Sequence, residues 1–371
     1  MIGGIIIVVG IIAMVMMHEG GHFLAAKAVG MKATEFFFGF GPKLWSVQRG
    51  ETEYGVKALP LGGYVRIVGM NPYEEVDPGD EGRTYRERPF WAKSVVVLAG
   101  VVSHFVVAFL IFFLIFAVVG VGRPTTAIER LSTELEDGSP TPAVLAGIEP
   151  GDRIVSLNGI PTPEWGDIVE LIQARPGERV ELGVERDGVL VPLTATLAVD
   201  RNEASGEETG FLGVQPARTS ERVNPLVGLG RAGDAVADAT NVSLRGLWSL
   251  VSNLGDLVVA AFTDDQTVLD EVRPASPIGL VQLGASAQRL GLEVTLELLA
   301  LINIFVGLFN LVPLYPLDGG HFSVALYEKV TGRQADVRKL VPVAAAVVIF
   351  IVLLGVLAIY LDIVRPFQGL G

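Results

Sequence analysis

The sequence has no cysteine, which removes disulfides, thiolate metal sites and cysteine nucleophiles together. Histidine is nearly as scarce, with four in 371 residues. Lysine is missing from the whole stretch between Lys93 and Lys329, where the charge is acidic instead. Between Arg123 and Arg289 there are 25 Asp and Glu against 13 Arg. No basic tract interleaved with aromatics occurs, so nothing points to a nucleic-acid partner. No internal repeat is apparent, which sets aside solenoid and propeller architectures. What remains is strongly apolar: half the residues are hydrophobic and the mean hydropathy is +0.49. That is too high for an ordinary soluble enzyme, and it points to several membrane spans around an acidic soluble region.

Four stretches are apolar enough to span lipid: Ile2 to about Ala26, about Val95–Val119, about Leu296–Val312 and about Leu340–Leu361. The first lacks a basic leader and a small-residue cleavage site, so it reads as a span rather than a signal peptide. The third is cut short by Pro313 and Pro316. All seven lysines (Lys27, Lys32, Lys43, Lys57, Lys93, Lys329 and Lys339) fall between the first and second spans or between the third and fourth. Positive loops stay cytoplasmic, which predicts both termini and the acidic region outside.

The chain divides into a membrane segment 1–122, a compact domain 123–218, amphipathic linker helices 219–290 and a second membrane segment 291–371. Within the compact domain, Asp152–Leu157, Val180–Arg186 and Val189–Leu197 read as strands, the last two joined by an Asp187-Gly188 turn. Asp200–Thr209 reads as a polar loop. Pro225–Phe262 is helical in pattern, with Trp248, Leu250, Val251, Leu254, Leu257 and Val258 on one apolar face. Such a face packs on a domain or lies in the membrane interface.

Chemistry concentrates in His18-Glu19-Gly20-Gly21-His22, at the end of the first span. On a helix, positions i and i+4 share a face, so both imidazoles reach one metal ion. Glu19, next to the first ligand, is placed to take a proton from a metal-activated water. The bland alternative is a core helix whose polar groups satisfy one another. Ionisable groups are expensive in a span, however, and usually functional there. Two histidines leave a catalytic zinc one protein ligand short. The other ionisable groups in the spans are His104, Glu297 and Asp318, with His321 just after, and Asp318 is a natural third because the prolines before it break the helix at membrane depth. Irregular backbone is tolerated at that depth only when it is buried in protein or lines a cavity. The first and third spans both run inward, so His18, His22 and Asp318 are predicted at one depth.

HEGGH in a first span and Asn310-Leu-Val-Pro313-Leu-Tyr315-Pro316-Leu-Asp318-Gly319-Gly320-His321 after a third resemble the site-2 protease family of intramembrane zinc metalloproteases. The resemblance is nearest to the PDZ-containing regulator-of-sigma-E group, and Tyr315-Pro316 is similar to its actinobacterial members. Phe38–Pro42 and Leu59–Val65 match the bacterial branch, and Ala146–Gly159 resembles a PDZ domain. The resemblance implies a polytopic α-helical membrane protein with four transmembrane helices, a membrane-associated β-hairpin at about 55–65 and one extracytoplasmic PDZ domain of α+β type.

It also implies one Zn2+ per chain on His18, His22 and Asp318, with Glu19 as general base and later proton donor. Asn310 matches a residue that helps hold the substrate carbonyl. Gly62, Gly63 and Tyr64 lie in the hairpin that clamps the unwound substrate. Implied partners are the bilayer, a transmembrane substrate such as an anti-sigma factor already trimmed once, remnant signal peptides, and a peptide for the PDZ domain. The implied place is the bacterial inner membrane, with the active site near the cytoplasmic face, in a stress response run by regulated intramembrane proteolysis. Three departures stand out. His104 occupies a position where the family commonly has Asn, and it reads as a buried hydrogen-bonding group. Pro316 falls one residue late, and Asn303 precedes Asn310 by seven residues. His321 reads as a supporting group rather than a ligand. Two rivals from other classes are a metal transporter, which would need a polar route through several spans, and a non-catalytic PDZ scaffold, which has no need of Glu19.

Overall fold

The structure, a computed structural model, describes residues 2–71, 74–135, 137–201, 208–263 and 273–364. In chain order the first elements are α1 (Ile2–Ala28), β1 (Ala33–Arg49), β2 (Thr52–Ile67) and α2 (Phe90–Leu114). They are followed by β3 (Val121–Leu131), a single turn α3 (Pro142–Leu145), β4 (Arg153–Leu157), β5 (Ile160–Pro161) and α4 (Trp165–Gln173). Next come β6 (Arg179–Arg186), β7 (Val189–Thr196), β8 (Ala198–Arg201), β9 (Glu208–Phe211) and β10 (Val214–Glu221). The remaining helices are α5 (Pro225–Ser252), α6 (Leu254–Thr263), α7 (Pro277–Leu290), α8 (Leu292–Asn310), α9 (Asp318–Thr331) and α10 (Val341–Val364). The chain forms two compact units, one of Met1–Val119 with Val223–Gly371, the other of Gly120–Arg222.

In the first unit, four helices among the described residues are long and apolar enough to cross a membrane: α1, α2, α8 and α10 with the turn before it. The four expected spans are therefore present, with shifted ends. α2 starts at Phe90 rather than Val95, after Pro89 in extended conformation. Its first turn carries Lys93 inward because Glu328 of α9 receives the ammonium at 2.7 Å. At its other end α2 widens into a π turn, Ile115–Val119. α2 is the hub, packing against α1, α5, α8 and α9. α10 packs chiefly on α7 and leaves most of its apolar surface outward.

The hairpin is much larger than the expected 55–65. Pairing runs from Ala33↔Ile67 to Arg49↔Thr52, and Phe36–Phe38 pair both with Val65–Gly63 and with Tyr54–Val56. Bends at positive-φ Gly39 and Gly41 let β1 fold over β2 in this way, a geometry that alternation alone does not reveal. Lys27, at the end of α1, pairs with Glu51 in the turn between the strands, and Arg83 bonds the same carboxylate at 2.8 Å. These partners hold Glu51 down to about 2, with Arg83 the larger influence and Lys27 next. The expected amphipathic face of α5 and α6 is divided. Leu257 is fully buried beside Leu361, whereas Trp248, Val251 and Val258 stay exposed.

The second unit holds a sheet of order β10-β3-β4-β6-β7, with β5 on β4 and α3 and α4 closing its core. Ile128, Ile154, Leu157, Ile168, Leu182 and Val184 fill that core. Asp187 and Gly188 both take positive φ in the β6–β7 turn, as a two-residue hairpin of that twist requires. The stretch expected as a polar loop, Asp200–Thr209, starts and ends in the β8–β9 pair, and 202–207 lie outside the described residues.

Candidate metal centre

His18 and His22 lie one turn apart on α1, their rings edge-on at 88° with centroids 4.6 Å apart. Their Nε2 atoms are 3.1 Å apart, and Asp318 Oδ2 is 3.4 Å from one and 3.3 Å from the other. Among the described residues, this is the group of His, Cys, Asp and Glu that can hold a metal, all three donor atoms within 4.8 Å of one another. The donors also fit a cation chemically. His22 Nδ1 donates to the Val96 carbonyl at 2.8 Å, so its Nε2 carries a bare lone pair. Asp318 Oδ2 is buried without a hydrogen bond. Lone pairs facing a carboxylate repel unless a positive ion lies between them, and an N2O donor set suits zinc.

The sequence sets these groups together through small residues. A Cβ on Gly21 would lie 2.6 Å from the Ala99 carbonyl oxygen, so only glycine lets α1 approach α2 this closely. A Cβ on Gly100 would lie 2.3 Å from His22 Nε2, within the space the donors share. Gly20, by contrast, has open space around it. Asp318 opens α9 just after the irregular stretch Leu311–Leu317. Cβ atoms on Gly319 and Gly320 would collide with Leu311 O at 2.1 Å and Tyr315 N at 2.4 Å. The Asp-Gly-Gly order thus turns the chain back over itself and places the carboxylate in the first turn of a helix, where negative charge is favoured.

Glu19 faces the hairpin. Its Oε2 accepts from the Val65 N–H at 3.0 Å, and Gly63 lies against its Cγ. Tyr64 stacks on Phe37 and Phe40, and its hydroxyl donates to Glu35 while receiving Lys57 Nζ at 2.6 Å. Burial pushes Glu35 upward, but the bonds from Tyr64 and Arg66 outweigh it and hold the carboxyl below its usual range. Gly62 takes positive φ beside Phe40.

The other candidates are spread around this centre. Asn310 ends α8, half-buried, and its side chain makes no hydrogen bond to the three donors. His321 follows Asp318 by one turn and lies 4.7 Å from the Tyr315 ring, outside the ligand group. His104 packs beside His18 at 4.9 Å between centroids and bonds Asn303. Sequence reasoning missed three contributors: the Val65 N–H, the Val96 carbonyl and the room Gly100 leaves. The first two are backbone groups without a residue signature. The glycine lies early in the second span, four residues before His104, and could have been found there.

The profile of peptidase family M50 matches residues 6–354. The chain belongs to that family, the site-2 proteases. It is 31% identical to the zinc metalloprotease Rip1 of Mycobacterium tuberculosis over 400 residues, covering 99% of this chain and 98% of that one. Rip1 of Mycolicibacterium smegmatis is 31% identical over 402 residues, with 98% of each chain covered. A putative zinc metalloprotease of Synechocystis is 30% identical over 359 residues, covering 95% of this chain and 93% of its own. Among solved structures, the PDZ domain of an SdrC-like protein from Listeria monocytogenes matches 25% of this chain and 88% of its own length, at 13% identity and a TM-score of 0.19. This M50 member is a zinc-dependent peptidase.

Proposed function

We propose that this peptidase cuts transmembrane helices of single-pass proteins inside the bilayer, at one zinc ion held by His18, His22 and Asp318. The observation that carries the reading is the convergence of these three donors within 4.8 Å, at the end of an apolar helix whose Glu19 is tied to a strand backbone. Held by His18, His22 and Asp318, a zinc ion would supply an acidified water and polarisation of the scissile carbonyl. Glu19 takes the proton from the attacking water and returns it to the leaving amine. The carboxylate moves to this task from the Val65 N–H, one hydrogen bond away. Asn310 steadies the substrate carbonyl oxygen. A helical substrate hides its carbonyls in its own hydrogen bonds, so it must unwind first. The strand carrying Gly62, Gly63 and Tyr64 pairs with the unwound segment and keeps its backbone groups satisfied. His321 supports Asp318 from the next turn.

The substrates are anti-sigma factors left as single spans by a first cleavage, and remnant signal peptides, in regulated intramembrane proteolysis. The lysine distribution supports a metal near the cytoplasmic face with Gly120–Arg222 outside, and the membrane is the bacterial inner membrane. That unit is a PDZ domain, on the Ala146–Gly159 resemblance and its sheet with two helices. It binds a peptide terminus or bars substrates that keep large outer domains. The test is cleavage of a trimmed, single-span anti-sigma factor by purified full-length protein. Glu19→Gln is expected to keep its zinc and lose on the order of 10²–10⁴-fold in rate. Cleavage at the wild-type rate by Glu19→Gln would overturn the mechanism.

A further inference from the structure

A histidine that binds a metal through one ring nitrogen gives the proton on the other to an acceptor, which fixes its tautomer and aim. His22 meets this rule through the Val96 carbonyl. His18 does not: its Nδ1 is buried and has no hydrogen-bond partner. The complementary deficit lies in the ring beside it. Asn303 Nδ2 donates to the His104 carbonyl oxygen at 2.9 Å, and a carbonyl only accepts. The amide orientation is thereby set, so Asn303 Oδ1, 2.6 Å from His104 Nδ1, is an acceptor and Nδ1 carries the proton. His104 Nε2 is left with a lone pair, and it too is buried and unpartnered. His104 is 1% exposed and Asn303 fully buried, so bulk water serves neither.

A buried donor without an acceptor thus adjoins a buried acceptor without a donor, on rings 4.9 Å apart and tilted by 41°. We propose that His104 is a positioning residue that accepts the His18 Nδ1 proton, so that the series Asn303, His104, His18 aims the Nε2 of His18 at the metal. The two atoms are not bonded in the structure. A rotation of the His18 ring, or one shared water, joins them while His104 stays on Asn303. The inference rests on the reading of His18, His22 and Asp318 as zinc ligands. The competing acceptor is the Gly100 carbonyl, which lies within hydrogen-bonding reach of His18 and shares its two lone pairs with the Ser103 hydroxyl at 2.6 Å.

The test measures the zinc dissociation constant of purified full-length protein by chelator competition, with the absorption spectrum of the cobalt-substituted form as a second readout. His104→Phe keeps the bulk and removes the acceptor, and it is expected to weaken zinc about 10–100-fold and to alter the cobalt spectrum. His104→Asn, which restores a carbonyl acceptor, is expected to recover most of that loss. Asn303→Leu leaves the ring but frees its tautomer, and it is expected to weaken zinc in the same direction. It serves in place of His104→Phe should that variant fail to fold. Wild-type zinc affinity in both His104→Phe and Asn303→Leu would overturn the proposal and assign His18 to the Gly100 carbonyl. Recovery failing in His104→Asn would also overturn it, reducing His104 to packing. Full zinc retention by His22→Ala would show instead that the ligand reading itself has failed.

Discussion

The two units bury polar groups in opposite ways. In Gly120–Arg222 the buried carboxylate Asp152 is fully partnered. Arg186 meets it with two bonds of 2.7 Å, and the Glu149 N–H adds a third at 2.8 Å. Among the described residues, none of the buried side-chain polar atoms lacking a partner belongs to that unit. In the other unit such atoms occur at several places, and three of them, His18 Nδ1, His104 Nε2 and Asp318 Oδ2, lie together where α1, α2 and α9 meet. A satisfied buried pair stabilises a fold, whereas an unsatisfied cluster costs free energy unless something else completes it. Gly120–Arg222 is finished by its own residues. On the proposed zinc site the other unit is finished by a ligand, and its stability there would be linked to that ligand's concentration.

The sharpest way to break this contrast is to fill the space the donors share. Gly100→Ala places a Cβ against His22 Nε2, and zinc affinity is expected to fall by more than about 100-fold, with cleavage lost alongside. The same change at Gly355 of α10, where an added Cβ meets nothing within 4 Å, is the control. Asp152→Ala should act in reverse, removing about 1.5–3 kcal/mol from the soluble unit while leaving zinc affinity unchanged. Chemical denaturation followed beside chelator competition checks both halves. If Asp152→Ala loses zinc, the two units are not separable in this way. A smaller effect follows from pH. Arg186, with help from the Glu149 N–H, holds Asp152 below the usual carboxylate range. The stability it adds is complete above an unfolded value of about 3.9 and is lost as pH falls through the lower folded value. Acid unfolding of the soluble unit should therefore begin below about pH 4 and move upward in Asp152→Ala. Gly355→Ala is expected to change stability by no more than about 0.5 kcal/mol in either direction, the smallest effect of the set.

Much of the centre was legible because helical spacing and membrane depth are both linear in sequence. His18 and His22 share a face by arithmetic, and Asp318 follows the proline-broken end of the third apolar span. The hairpin was legible only over about Gly55–Val65. Its full extent depends on β1 bending at Gly39 and Gly41, and Phe36–Phe38 therefore serve two rows of partners. The early start of α2 was hidden because a lysine in the first turn reads as a helix flank until Glu328, 235 residues on, supplies its partner. The Val65 bond to Glu19 had no signature, since any residue presents the same N–H. His104 was read as a buried hydrogen-bonding group, but which of its nitrogens keeps a lone pair depends on Asn303, 199 residues away.

The most direct test is the zinc content and coordination shell of the purified full-length protein, read by elemental analysis and X-ray absorption, beside Asp318→Ala. Expected are one zinc per chain with two imidazoles and one carboxylate, and a metal largely lost from Asp318→Ala. A full zinc complement with an unchanged shell in Asp318→Ala would contradict the metal centre described above.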